Sequence, residues 1–490
     1  MPLPTKADIS SAGLLLLLVV CVGLTVVTCF YYPGNVLTYL AFSILVNALL
    51  FVGLRRQSIF FDFFIGGLLW LGFWLKFSVR TVFLEGKFHI PVGNFDYSPG
   101  AYDHSLTVVS CAVAALLLVR MLRARYVFTY LGNAPEQRLA GLLEYYERRK
   151  KLLWVAFCAL TLAVAVSNAY FGIYQRGLAP RTVLPYGLGG VYTWLLMFGA
   201  ASITALMLDF EIKRHAAIPT VLMALFLLEA FASNVSMLSR GMILNTGALL
   251  SGIYVAFRVR GINLNFRSTG LTILAVLALF ATSVVLVNSL RQLELYSERV
   301  VEAEAEAESE PRIDARRLTH DSHELFLDRW VGIEGVMAVS SYPRLGWKLL
   351  KDAWRETYSN YGASMYDLEI AGSVSKEYAD WIVNNGKHFI TLPGVIAFFY
   401  YSGSFAFLFF AMVLVGAVGA GIEYAVYRVT GNRILCALMA FVVAYRFAQF
   451  GYVPARSYLL FGAIALNVVL IYLANRFLAA QVVRGDPPPR

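Results

Sequence analysis

A chain of 490 residues that is 59% hydrophobic, with a mean hydropathy of +0.64, is not an ordinary soluble domain. It is only 15% charged, whereas soluble domains carry roughly 25% charge. The net charge of +10 does not indicate nucleic-acid binding, because the Lys and Arg residues cluster between apolar runs in the manner of the positive-inside rule.

The apolar runs are unbroken and many exceed ~18 residues, enough to cross a bilayer as helices and unlike the alternation of a membrane barrel. The fold class is therefore an all-α polytopic membrane protein. About twelve spans are predicted, near 12–31, 36–54, 59–80, 105–122, 152–172, 191–210, 218–236, 242–257, 269–289, 402–427, 433–453 and 457–477. The first, SAGLLLLLVVCVGLTVVTCF, is longer than a signal-peptide core and reads as an uncleaved helix.

Placing the N-terminus inside puts nearly all basic clusters on one side: Arg55 and Arg56, Arg120, Arg123, Arg125, Arg148–Lys151, Lys213 and Arg214, Arg258, Arg260 and Arg267, Arg428 and Arg433, and Arg484 and Arg490. Both termini are then cytoplasmic. Residues 123–151 read as a cytoplasmic linker, with Leu139, Leu142, Leu143 and Tyr146 at the spacing of an amphipathic helix on the membrane surface. The chain divides into spans over 1–289, a long extracytoplasmic loop over 290–393, three further spans over 394–480 and a disordered tail over 481–490.

The Pro-, Gly- and aromatic-rich loops 81–104 and 173–190 read as compact lids. The long loop is the only extended polar segment. It contains the acidic run EAEAEAESE and two predicted helical pieces. Asp321 and Glu324 resemble a capping box ahead of LFLDRWVGIEGVMAV. In GWKLLKDAWRETYSNYG, Trp347, Leu350, Trp354 and Tyr358 share a face, and Gly362 ends the piece. Such faces are expected to lie on the bilayer surface or over the mouth of the bundle.

Charges at membrane depth or at its edge are costly and point to function. Arg240 sits in the tight MLSRGMIL turn. Lys76 and Arg80 lie four apart at the outer end of the third span, Arg446 lies inside the eleventh and Arg456 at its mouth. Arg329, Arg344 and Lys348 come from the long loop. Together they suit a diphosphate, because the planar guanidinium matches phosphate oxygens. The alternative is that each snorkels to headgroups or pairs with a carboxylate.

Glu334, between Gly332 and Gly335, and His388, at the loop's return, are the candidate proton acceptors. The glycines would allow close approach of a substrate or of backbone. Trp330 and other loop aromatics suit stacking on sugar rings. His320 and His323 have helical spacing but no third ligand in the sequence nearby, so no metal or other cofactor is expected. The five cysteines (Cys21, Cys29, Cys111, Cys158, Cys436) lie in apolar runs and read as core residues. No nucleotide-binding glycine motif, HExxH, GxSxG or outer DxD is present.

About twelve spans, the Ser239–Arg240–Gly241 turn, a late outer loop, the return LPGVIAFFYYSG (392–403) and WLGFWLK (70–76) together resemble the Wzy-type O-antigen and oligosaccharide repeat-unit polymerases. The resemblance implies a GT-C-like helical core in the bacterial inner membrane. It implies metal-independent glycosyl transfer on the periplasmic side, with arginines stabilising the lipid diphosphate. The partners implied are undecaprenyl-diphosphate-linked oligosaccharides as donor and acceptor, membrane lipid, a flippase and a chain-length regulator. Alternatives are an O-antigen-ligase-type transferase and a transporter or flippase of lipid-linked oligosaccharide.

Overall fold

The computed structural model describes residues 7–55, 58–88, 90–126, 138–176, 178, 180–239, 241–262, 266–303, 330–359, 362–384 and 388–484. Within these the chain is an all-α, multi-pass membrane protein. Ten helices are long and apolar enough to cross a bilayer. Their cores lie in α1 (Ala7–Tyr31), α2 (Val36–Gly53), α3 (Phe60–Phe83), α4 (Pro99–Tyr126), α5 (Ala140–Phe171), α6 (Pro185–His215), α8 (Met242–Val259), α9 (Phe266–Ala303), α14 (Phe405–Thr430) and α16 (Ser457–Arg484). The predicted spans 218–236 and 433–453 form shorter helices, α7 (Thr220–Ser236, 17 residues) and α15 (Arg433–Ala448, 16 residues).

Helix ends follow local chemistry. Asn35, Ser404 and Asn432 accept backbone N–H groups at the starts of α2, α14 and α15. Gly172 and Gly431 end α5 and α14 in the left-handed conformation. Helix α4 begins at Pro99, earlier than hydropathy suggests, because its first turn is polar and its Pro lacks only a hydrogen bond that a first turn never makes.

Helix α15 is the axis of the bundle. Its residues are buried nearly all round, and it packs on α3, α6, α8 and α14. Long-range hydrogen bonds sort into two ends. At one, Asp103 accepts from Tyr32 Oη (2.7 Å) and Asn35 N (2.9 Å). At the other, Glu423 accepts from the Phe60 and Phe61 amides at 2.9 and 2.7 Å, while Asp62 pairs with Arg120 and Arg123. The first is the loop end, because residues 330–404 gather there.

Residues 140–148 are helical and join the rest of α5 across a break at Arg149, whose backbone is non-helical. Leu139 and Tyr146 are buried, and Tyr146 Oη donates to Glu211 at 2.7 Å. The intervening 127–137 lie outside the described residues.

Part of the long loop is buried in the bundle. Helix α10 (Ile333–Ser340) is buried within it, against α4 and against α13 (Val395–Tyr400). Close backbone contact permits this. A Cβ on Gly332 would fall 1.8 Å from the Gly72 carbonyl oxygen, and one on Gly335 would fall 2.0 Å from that of Pro393. The glycines flanking Glu334 thus serve backbone approach.

The second loop helix, α11 (Trp347–Trp354), stops before Tyr358 and buries Leu349 and Ala353. Trp347 and Trp354 remain 61% and 46% exposed, each with one ring contact or more, as with Phe407 and Phe398. Helix α12 (Lys376–Asn384) and a two-residue parallel pair, β1 (Gly362–Ala363) with β2 (His388–Phe389), complete the loop. The acidic run, the Asp321–Glu324 box, His320 and His323 lie outside the described residues.

Candidate functional site

A cavity of about 590 Å³ sits at the loop end, beside α15. Its described walls come from six parts of the chain: the α5–α6 loop (Tyr174, Gln175, Arg176), Met197 of α6, the α7–α8 junction (Asn234, Gly241, Asn245), α15 with the turn after it (Tyr445, Arg446, Gln449, Tyr452), Leu460 of α16, and the long loop (Tyr358, Phe389, Ile390, Leu392). Among the described lining residues there are two arginines and no Asp, Glu or His. The remainder are aromatic, aliphatic, amide or small. Such a cavity favours an anion that also presents apolar or hydroxylated surface.

Arg446 is half-buried one turn from the end of α15. Its Nε and one terminal nitrogen meet Ser457 Oγ at 3.2 and 3.0 Å, and the guanidinium lies 5.6 Å from the Phe450 ring centre. No carboxylate lies within ion-pair distance among the described residues. The hydroxyl and the ring therefore orient the cation without neutralising it.

Arg176 was not singled out from sequence. Its main-chain N–H donates to the Met237 carbonyl at 2.9 Å. Its own carbonyl accepts from Arg291, whose Nε also donates to the Leu238 carbonyl at 2.9 Å. Arg291 thereby ties the α5–α6 loop to the α7–α8 junction. A Cβ on Gly241 would stand 3.8 Å from Arg176 Nη1. The signal for Arg176 was one of two arginines, with Arg181, in a Pro/Gly-rich outer loop, which carries little weight by itself.

The wall at Met197 has a local cause. Residues Leu195–Gly199 form a π-helical turn, and the Met197 carbonyl accepts from Asn245 Nδ2 at 3.0 Å. At the rim, the Arg456 guanidinium lies 4.4 Å from the Tyr358 ring centre, and Tyr358 lines the cavity. Arg456 itself is exposed.

The other predicted site residues fall elsewhere. Lys76 and Glu334 form a buried ion pair, 2.8 Å apart, with side chains 0% and 3% exposed. Lys76 Nζ also donates to the Trp330 carbonyl at 2.7 Å. Neither residue lines the cavity. A π-helical turn, Trp70–Leu75, precedes Lys76 and brings Gly72 against Val331 and Gly332. Arg80 is buried and donates to the Lys87 carbonyl at 2.7 Å, with Phe88 beside it. Arg344 and Lys348 are exposed around the start of α11; Arg344 lies over Tyr342.

Arg240 and Arg329 lie outside the described residues. The backbone of His388 is in β2, but its side chain is outside the described set. The next residue in sequence after Arg240, Gly241, and the next after His388, Phe389, both line the cavity. No group of three or more His, Cys, Asp or Glu residues is placed to hold a metal among the described residues.

Asp367 fixes the wall that the long loop contributes. It is fully buried in a third π-helical turn, Tyr366–Ile370. It accepts from the Ser364 hydroxyl and from both the N–H (2.9 Å) and the hydroxyl of Thr391. Thr391 lies between the lining residues Ile390 and Leu392. Burial pushes the Asp367 carboxyl above the usual range, and the Ser364 and Thr391 hydrogen bonds oppose that rise. Asp367→Ala is expected to cost about 2–3 kcal/mol locally, the scale of hydrogen bonds to a charged group. Limited proteolysis should then cut between residues 360 and 391 far faster than in the wild type.

No family model, curated protein or solved structure matches the chain.

Proposed function

We propose that the chain polymerises undecaprenyl-diphosphate-linked oligosaccharide repeat units by glycosyl transfer, with a GT-C-like core of twelve spans in the bacterial inner membrane. The observation that carries this reading is the arginine-bearing cavity at the loop end, whose described lining holds no carboxylate. Arg446 and Arg176 would bind the diphosphate of the lipid carrier. During transfer the anomeric carbon–oxygen bond breaks, and negative charge develops on the departing diphosphate. A preorganised guanidinium in a partly dry site stabilises that charge without reorganisation. Arg240, next in sequence to a lining glycine, would supply a third cation, and Arg456 would meet the substrate at the rim.

An acceptor hydroxyl must lose its proton. Glu334 is engaged with Lys76 outside the cavity, so this role passes to His388 or to water at a late transition state. Lys76, Glu334, Trp330 and Arg80 become supports of the loop, and the lining aromatics Tyr174, Tyr358, Tyr445 and Tyr452 become the candidate sugar platforms. Basic residues gather at the opposite end, in Arg120, Arg123, Lys150, Lys213, Arg260 and Arg433. This supports a cytoplasmic placement of that end and a periplasmic cavity.

Loss of the gene should leave single repeat units on the carrier and abolish long polysaccharide, seen on a denaturing gel of cell-surface glycan. Unchanged chain length would overturn the reading.

One observation favours the transport alternative. Glu229 is buried midway along α7, and its carboxylate accepts a hydrogen bond from Ser233 Oγ at 3.1 Å; no cation is within ion-pair distance among the described residues. Intramembrane acids often serve ion-coupled transport. Under the polymerase reading, Glu229→Gln keeps long polysaccharide, whereas ion-coupled transport would lose it.

A further inference from the structure

A second cleft lies at the loop end, away from the cavity. It measures about 400 Å³ and lies between loop residues 91–97, ahead of α4, and 369–372 of the long loop. Among the described residues no Lys or Arg lines it, which does not suit a phosphate. Its polar side chains are Asn94 and Glu369, both exposed. Amide and carboxylate together can donate to and accept from hydroxyl groups.

Tyr97 gives the cleft an apolar platform. It is 46% exposed. Its ring is nevertheless fixed edge-to-face against Phe95, with centres 5.2 Å apart, and against Tyr102 at 6.3 Å. Its backbone is left-handed, with φ +58°, a conformation that a large L residue rarely adopts. The floor is backbone. Gly93 N–H donates to the Ala371 carbonyl at 3.1 Å, and a Cβ on Gly93 would lie 2.2 Å from the Ile370 carbonyl oxygen. A held aromatic face, an amide, a carboxylate and no cation match the faces and hydroxyls of a neutral sugar.

We infer that this cleft is a carbohydrate subsite that holds an oligosaccharide segment beyond the residue undergoing transfer. The inference rests on the polymerase reading for the presence of glycan at this end. One element links the two sites: the π-helical turn whose Glu369 and Ile370 line the cleft also carries Asp367, which holds Thr391 between the cavity-lining Ile390 and Leu392. Glycan seated in the cleft therefore bears on the same folded loop that lines the cavity.

The test uses the full chain in lipid nanodiscs and oligosaccharides released by mild acid from the cell's own lipid-linked units. Saturation-transfer NMR reads binding, with one-unit and multi-unit fragments measured in parallel. Tyr97→Asn removes the ring, while Asn suits the left-handed backbone, so the fold is retained. Binding should weaken roughly tenfold or more, as for loss of an aromatic anchor. Tyr97→Phe should keep binding, and Glu369→Ala should weaken it. Arg428→Ala, which removes an exposed cation in the last turn of α14, should leave it unchanged. Equal signals from wild type and Tyr97→Asn, or an equal loss from Arg428→Ala, would overturn the subsite. Binding through Tyr97 in a protein that makes no polymer would instead retain the subsite and refute the polymerase reading.

Discussion

Arg446→Ala is expected to lower chain extension about 10²–10³-fold, the usual consequence of removing one preorganised donor to developing charge. The protein should still fold. Arg446 is half-buried at the end of α15, and its recorded side-chain partners are one hydroxyl and one aromatic ring, so truncation leaves no buried charge unpaired. Arg446→Lys should recover only part of the activity, because a point charge cannot bond both Ser457 and a phosphate in the planar geometry of guanidinium. The readout is the ratio of polymer to single repeat units, normalised to the amount of protein in the membrane. Arg176→Ala should act in the same direction. A single-unit phenotype in one variant and full-length glycan in the other would leave the charge with one arginine.

The second large effect concerns stability. Lys76→Met should destabilise the protein by about 3–5 kcal/mol, because it removes one partner of a buried ion pair. The pair spans 258 residues of sequence and joins α3 to the entry of α10. Its loss should loosen the whole buried part of the long loop. Lys76→Met combined with Glu334→Leu removes both charges, and most of the stability should return, since a buried pair replaced by apolar side chains is often neutral. Melting in detergent separates these outcomes. A double variant as unstable as Lys76→Met alone would show that the Lys76 bond to the Trp330 carbonyl, not the charge pair, is what matters. Recovery of polymerisation in the double variant would also confirm that Glu334 takes no proton in the reaction.

Sequence and structure agree where one physical effect dominates. Apolar runs located the helices, because burying roughly 20 apolar residues in lipid outweighs other preferences. Clustered Arg and Lys marked one end of the bundle. The α7 and α15 segments were legible as helices, but their lengths were not. Helix α15 is surrounded by protein, so its apolar residues meet neighbouring helices nearly all round.

The site was only partly legible. Arg446 and Arg456 stood out as cations near a span, and the structure places the first in the cavity wall and the second at its rim. Lys76 and Glu334 looked equally functional. Their partnership depends on a contact between distant segments that no local pattern encodes. The glycines around Glu334 signalled close approach, but whether of substrate or of backbone is decided by where Gly72 and Pro393 fall. Arg176 carried almost no signal, because an outer-loop arginine is ordinary until Arg291 ties that loop to the α7–α8 junction. How the long loop meets the bundle was hidden for a related reason. The helix 333–340 is short and apolar, and its glycines let it enter the bundle.

The most direct test is a reconstitution. Purified protein in proteoliposomes is given undecaprenyl-diphosphate-linked repeat units and a chelator, with no nucleotide. The account predicts a ladder of products growing by one repeat unit on the carrier, with release of free lipid diphosphate, and no ladder from Arg446→Ala. Movement of intact lipid-linked units across the bilayer without any covalent extension, unaffected by Arg446→Ala, would contradict it.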